Sequence, residues 1–327
     1  MDVQSTRALW DFDAVAVGQR GSPIAVSITA EMVSDYAARV RNPNPLYSDE
    51  HQRPSIAMPT MIFVVAPIRR HDIAEVNGFL VLERASIGAR QTPFAKCVVK
   101  WERPITEGDI ITSVGQVIDK YERRGSKFVT IRVSATDHRD RPLCVYDYTC
   151  IFDYYKGSKR PQEILCDETL LEPKLLNKFG QKKFDGIEVG DHLPRLQITE
   201  TQETVDGAPT WMDYTGERTI PNIHTDASFA ATGMFAGTVN AGITTMGYVV
   251  QTLEQWFPAA SLYEGGSLEF KAVQPFRPTD TVTFMATIMD KRVVDARQWV
   301  DCNVTCTNQI GQLIGVAHAF LNLRGIK

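Results

Sequence analysis

The chain has 327 residues, 43 % of them hydrophobic, and a formal charge of −4. That length allows two domains of ordinary size with filled cores, and lysines and arginines scattered among acids argue against nucleic acid as a partner. No run approaches about eighteen apolar residues, and the opening MDVQSTRALWDFD lacks the basic-then-apolar pattern of a secretory signal, so a soluble, cytoplasmic protein without a membrane partner is expected.

Thr29 is placed to cap a first helix over 31–40, and a second helix is expected near 59–67. Four β-rich segments follow at 95–103, 109–119, 128–135 and 143–152, with Arg123-Arg124-Gly-Ser-Lys127 in a hairpin turn whose default reading is solvated surface. Residues 155–183 carry no strand pattern and read as a partly helical surface connector. Beyond it, short helices are expected over 211–215 and after Asp226 as N-cap. A longer one spans 240–256, with Ile243, Met246, Val250 and Leu253 at helical spacing. The chain closes on β segments at 266–273, 281–289, 298–307 and 311–323. Helices first and an antiparallel meander afterwards is an α+β layout, with the long helix free to lie across a curved sheet.

The two series of elements are one module written twice. Val133-Ser-Ala-Thr-Asp137 returns as Val304-Thr-Cys-Thr-Asn308, and Asp109 with its turn returns as Asp280, as Lys120 does as Lys291, all 171 residues apart. Phe12-Asp-Ala-Val-Ala-Val-Gly18 and Phe184-Asp-Gly-Ile-Glu-Val-Gly190 open the copies. The expected division is 1–155, a connector over 156–183, and 184–327. Cysteines 97, 144, 150, 166, 302 and 306 form no Cys-x-x-Cys pair or zinc-type spacing; Cys302 and Cys306 share one strand face and read as buried thiols.

Several stretches resemble the MaoC-like, (R)-specific enoyl-thioester hydratases in their two-copy arrangement, the double hot dog. In the first copy Tyr36-Ala-Ala-Arg-Val-Arg-Asn-Pro-Asn-Pro-Leu-Tyr47-Ser-Asp49, followed by Pro59-Thr60, is similar to the family's non-catalytic half, where tyrosine, here Tyr47, replaces the site histidine. In the second, Tyr214-Thr-Gly-Glu-Arg-Thr-Ile-Pro-Asn-Ile-His224-Thr-Asp226 stands at the catalytic segment, and Asn240-Ala-Gly-Ile-Thr-Thr-Met-Gly-Tyr248 at the start of the central helix. The resemblance implies two antiparallel sheets each wrapped around a central helix, a catalytic second half, and a first half that makes room for the acyl group with its central helix unwound or displaced.

It further implies a hydro-lyase acting reversibly on a 2-enoyl or 3-hydroxyacyl thioester. Coenzyme A would be part of the substrate, with no metal or redox cofactor, and the chain a monomer or homodimer. His224 is the candidate acid/base, since imidazole titrates near neutrality. The family's aspartate five residues earlier is missing; Thr219 stands there, and Glu217 is the first choice to replace it. Gly242 is expected to bring the helix N-terminus against the thioester oxygen, with Asn240, Asn222 and Tyr47 at the substrate and the other histidines without a role. Arg123, Arg124 and Lys127 as a contact for coenzyme A phosphates is the minority reading of that turn. An acyl-CoA thioesterase and a non-catalytic acyl-thioester-binding protein are the alternatives.

Overall fold

A computed structural model describes residues 7–48, 54–155, 179–180, 182–217, 221–263 and 265–323. The alternating segments become ten strands: β1 (Ile24–Ser27), β2 (Phe94–Trp101), β3 (Ile110–Arg123), β4 (Ser126–Thr136), β5 (Pro142–Asp153), β6 (Leu196–Thr199), β7 (Ser267–Ala272), β8 (Thr281–Val294), β9 (Arg297–Asn308) and β10 (Leu313–Asn322). They form one antiparallel sheet in the order β1-β3-β4-β5-β2-β7-β10-β9-β8-β6. The second half of that order mirrors the first, and the copies join where β2 pairs β7, Cys97 opposite Phe270. The long strands extend past their expected ends because each hairpin tip still pairs. Arg124 and Gly125 turn one (φ 52° and 75°) and Asp295 and Ala296 the other (φ 49° and 58°), the left-handed pair that a two-residue hairpin requires. The short strands β1 and β6 carry too few residues for an alternation signal.

The 171-residue offset is a physical equivalence. Lys120 Nζ donates to the carbonyls of Phe12 and Val15, both at 2.8 Å, and sits over the Phe12 ring. Lys291 Nζ does the same to Phe184 and Ile187, at 3.1 and 2.7 Å, over the Phe184 ring. Each copy also carries a bulge at the same place, between Val117 and Asp119 and between Ile288 and Asp290. The expected copy boundary before Phe184 thus matches a repeated ammonium–carbonyl lock. Most of the connector, including Cys166, lies outside the described residues.

The described residues include seven α-helices: α1 (Ala30–Arg39), α2 (Ile62–Val65), α3 (Arg70–Val76), α4 (Gln202–Asp206), α5 (Trp211–Thr215), α6 (Ala227–Thr232) and α7 (Gly242–Glu254). Thr29 and Asp226 cap α1 and α6 as expected, each accepting from a first-turn amide. α7 packs against β6, β8 and the Pro59–Met61 turn, and every residue from Thr244 to Glu254 is buried. Burying Met246, Val249, Val250 and Leu253 stabilises by about 1.5–3 kcal/mol each. In the first copy the corresponding helix is interrupted: a 3₁₀ turn and α2 stop at Ala66 (φ −131°), because the residue before Pro67 is barred from the helical region. Cys302 and Cys306 are wholly buried free thiols.

Buried polar contacts tie α7 to the first half. Glu254, 1 % exposed, accepts from Tyr47 Oη at 2.5 Å, Asn42 Nδ2 at 2.9 Å and Asn44 Nδ2 at 3.2 Å. Tyr248 Oη donates to buried Glu200, which pairs with Arg41, and Gln251 Nε2 donates to the Val40 carbonyl. Asn42 and Asn44 cannot flip, since their Oδ1 atoms accept the amides of Asn44 and Leu46. A Glu254→Gln amide keeps both asparagine bonds only by turning Nε2 to Tyr47 Oη, which must then accept, and all three bonds lose the assistance of the negative charge. The expected loss is about 1–3 kcal/mol of stability, measured by urea unfolding.

Candidate active site

The loop between α5 and α6 is folded by its own side chains. Asn222 Oδ1 accepts the backbone amides of His224 at 2.8 Å and Thr225 at 3.0 Å, a turn that asparagine makes readily. Ile223 N–H donates to Gln91 Oε1 of the first half, and the His224 carbonyl accepts from Gln202 Nε2. With the backbone fixed, His224 Nδ1 lies 2.8 Å from the Val239 carbonyl. A carbonyl only accepts, so Nδ1 carries the proton and the neutral ring presents Nε2 as a base. Burial pushes the His224 pKa below its usual 6.5, against the pull of the Val239 bond, and the Arg70 charge pushes it further down.

His224 opens onto a cavity of about 140 Å³ between the two halves. The interrupted helix supplies one wall, with Phe63, Pro67 and Ile68; Tyr148, Trp211 and Gly242 supply others. Arg70 and Glu83 also line it and pair at 2.9 Å, with the Glu83 side chain 1 % exposed. Gly242 begins α7, where the first amides have no carbonyl within the helix and the macrodipole is positive. His224 and the helix end expected to hold an oxyanion therefore border the same space.

The other expected site residues fall differently. Glu217 Oε1 accepts from Arg69 Nε at 2.6 Å, and its Oε2 lies 2.9 Å from His71 Nε2 without a hydrogen bond. His71, assigned no role from sequence, stacks on Trp211 and lines the cavity; burial holds its pKa down. Tyr47 is 2 % exposed, is bonded to Glu254 and so ties the halves together, and it is not among the residues lining the cavity. Asn240 Nδ2 donates to Thr245 Oγ1 at 3.3 Å, leaving Oδ1 buried without a hydrogen-bond partner. Asn222 faces the cavity while shaping the loop, and Asp226 caps α6. At Gly242 a Cβ would stand 2.5 Å from Phe94 Cγ and Cδ1, so its bareness also admits that ring. No sequence signal marked Phe94, Tyr148 or Arg70, which sit in ordinary strand and helix patterns.

Two wrapped helix-and-sheet copies joined edge to edge define a double hot dog protein. The FAS1-like dehydratase domain region matches residues 15–145, and the MaoC-like domain matches residues 215–309. The chain belongs to the MaoC-like hot dog family.

Its fold is similar to that of a MaoC domain dehydratase from Chloroflexus aurantiacus, with a TM-score of 0.66 at 11 % identity over 98 % of this chain and 99 % of the other. A double-hotdog protein of Mycobacterium tuberculosis scores 0.59 at 12 % identity, over 95 % and 98 %. A UPF0336 protein of Saccharopolyspora erythraea is 25 % identical over 145 residues, 42 % of this chain and 90 % of its own. No helix among the described residues is long and apolar enough to cross a membrane.

Gly242→Ala forces a methyl against the root of the Phe94 side chain, where rotating the ring alone gives little relief. The expected cost is about 1–3 kcal/mol, read from the shift in the urea midpoint.

Proposed function

We propose that the chain is a hydro-lyase that reversibly hydrates a 2-enoyl thioester, of coenzyme A in the first instance, with His224 handling the protons. The observation that carries this reading is the Nδ1–Val239 bond, which leaves a basic Nε2 at a cavity bordered by the N-terminus of α7. In the hydration direction Nε2 takes a proton from water as its oxygen bonds to C3, and the C2–C3 π pair moves to C2 with charge on the thioester oxygen. Amides at the start of α7, Gly242 first, stabilise that oxygen, as preorganised donors do in acyl chemistry. The imidazolium then protonates C2, which balances the addition. Because Arg69 and His71 already engage Glu217, we assign it to positioning the cavity wall that His71 and Trp211 form. The first half supplies the room for substrate through its interrupted helix.

Crotonyl-CoA and a bulkier aryl enoyl-CoA test the reading. Loss of enoyl absorbance without free thiol supports hydration, whereas thiol release makes the chain a thioesterase. His224→Ala is expected to lower kcat about 10²–10⁴-fold, and Glu217→Gln to cost less; equal turnover by wild type and His224→Ala overturns the assignment.

The pH dependence has a definite sign. A depressed His224 pKa keeps Nε2 unprotonated as pH falls through 6.5. The acid limb of kcat/KM is therefore expected to have its midpoint below 6.5, and a midpoint above it contradicts a buried base beside Arg70.

A further inference from the structure

His224 and Gly242 border two cavities. Besides the main one, a smaller cavity of about 70 Å³ lies toward the second half, walled by Met234, Phe235, Val239, Phe270, Phe276 and Ile314. Both cavities also share Phe94, at the start of β2 in the first half. On one side its ring meets Tyr148 edge-on at 5.0 Å, and Tyr148 lines only the main cavity. On the other it stacks on Phe270 at 5.8 Å, and Phe270 lines only the smaller one. Beneath it lies the bare Cα of Gly242. The ring is thus a partition between the cavities, held by Tyr148, Phe270 and the Cα of Gly242, and it lines both of them together with His224.

We infer that Phe94 sets the acyl length that the site accepts, and that the apolar chamber behind it takes the end of a longer aliphatic chain once the ring is removed. The inference rests on the thioester reading above and adds a specificity-determining residue to it. With the ring in place, an acyl group seated at His224 ends against an aromatic wall, and further methylenes find no burial. Without it, the two cavities become one channel lined by aromatic and aliphatic side chains, where each buried methylene tightens binding about fourfold.

The test uses saturated acyl-CoAs from butyryl to dodecanoyl, which bind without reacting, titrated by calorimetry into wild type and Phe94→Ala. Wild-type affinity is expected to rise with length and then level off. In Phe94→Ala the plateau moves at least two methylenes further, so the longer ligands gain more than about tenfold while butyryl-CoA gains nothing. Met234→Trp, which refills the chamber from a half-buried loop position, removes that gain when combined with Phe94→Ala. Phe94→Leu keeps the packing on Gly242 and gives a smaller shift in the same direction, which covers a poorly folded alanine variant. An unchanged plateau, or an equal loss at every length, overturns the inference while hydration by the wild type leaves the proposed function standing. If no acyl-CoA binds either protein, both fall.

Discussion

The clamp on the C-terminal end of α7 is the constraint on which the remaining structure depends. A carboxylate at a helix C-terminus is opposed by the macrodipole, and burying it raises its pKa above the usual range. Glu254 is tolerated because Tyr47, Asn42 and Asn44 all donate to it, and each sits on one loop of the first half. With Tyr248 tied to Glu200 and Arg41 in the same helix, α7 has one axial and rotational position. Its other end, about three turns away, carries Gly242 and receives the Phe94 ring. The loop that resembles the family's non-catalytic segment in the first copy is thus the anchor that places α7 of the second.

The halves divide their roles through a local backbone event. Ala66 cannot continue the helix before Pro67, so the first central helix stops after α2, and residues that would have filled its next turns line the main cavity. The uninterrupted α7 keeps an intact N-terminal dipole facing that space. The first copy lines the main cavity with its interrupted helix and anchors α7; the second lines it with His224 and the start of α7. Cross-half contacts such as Ile223 with Gln91 mean that neither half holds the His224 loop alone.

Much of the fold was legible because hydrophobic period and chain punctuation are local. The eight long strands, the cap residues Thr29 and Asp226 and the helix at Gly242–Glu254 all follow from residues near in sequence. The short strands β1 and β6, and the helices α3 and α4, were missed because four to seven residues carry little periodicity. His224 was singled out by its motif context, and it lines the main cavity. The partners of Glu217 were not: Arg69 and His71 lie in the other copy, and nothing in sequence links them to the loop after α5. Gly242 was flagged for its missing Cβ, yet the occupant of that space is an aromatic ring from the first half.

The amino-acid sequence by itself determined that one module occurs twice, which residues alternate into strands, and that a single histidine survives at the duplicated motif. Those properties depend on spacing along the chain. Tertiary structure decided that Tyr47 binds the Glu254 carboxylate, that Glu217 faces Arg69 and His71, and that Phe94 lines two cavities. Each of these is a meeting between the copies, set by how α7 seats between the halves, and side-chain reach in three dimensions leaves no period in the sequence from which to read it.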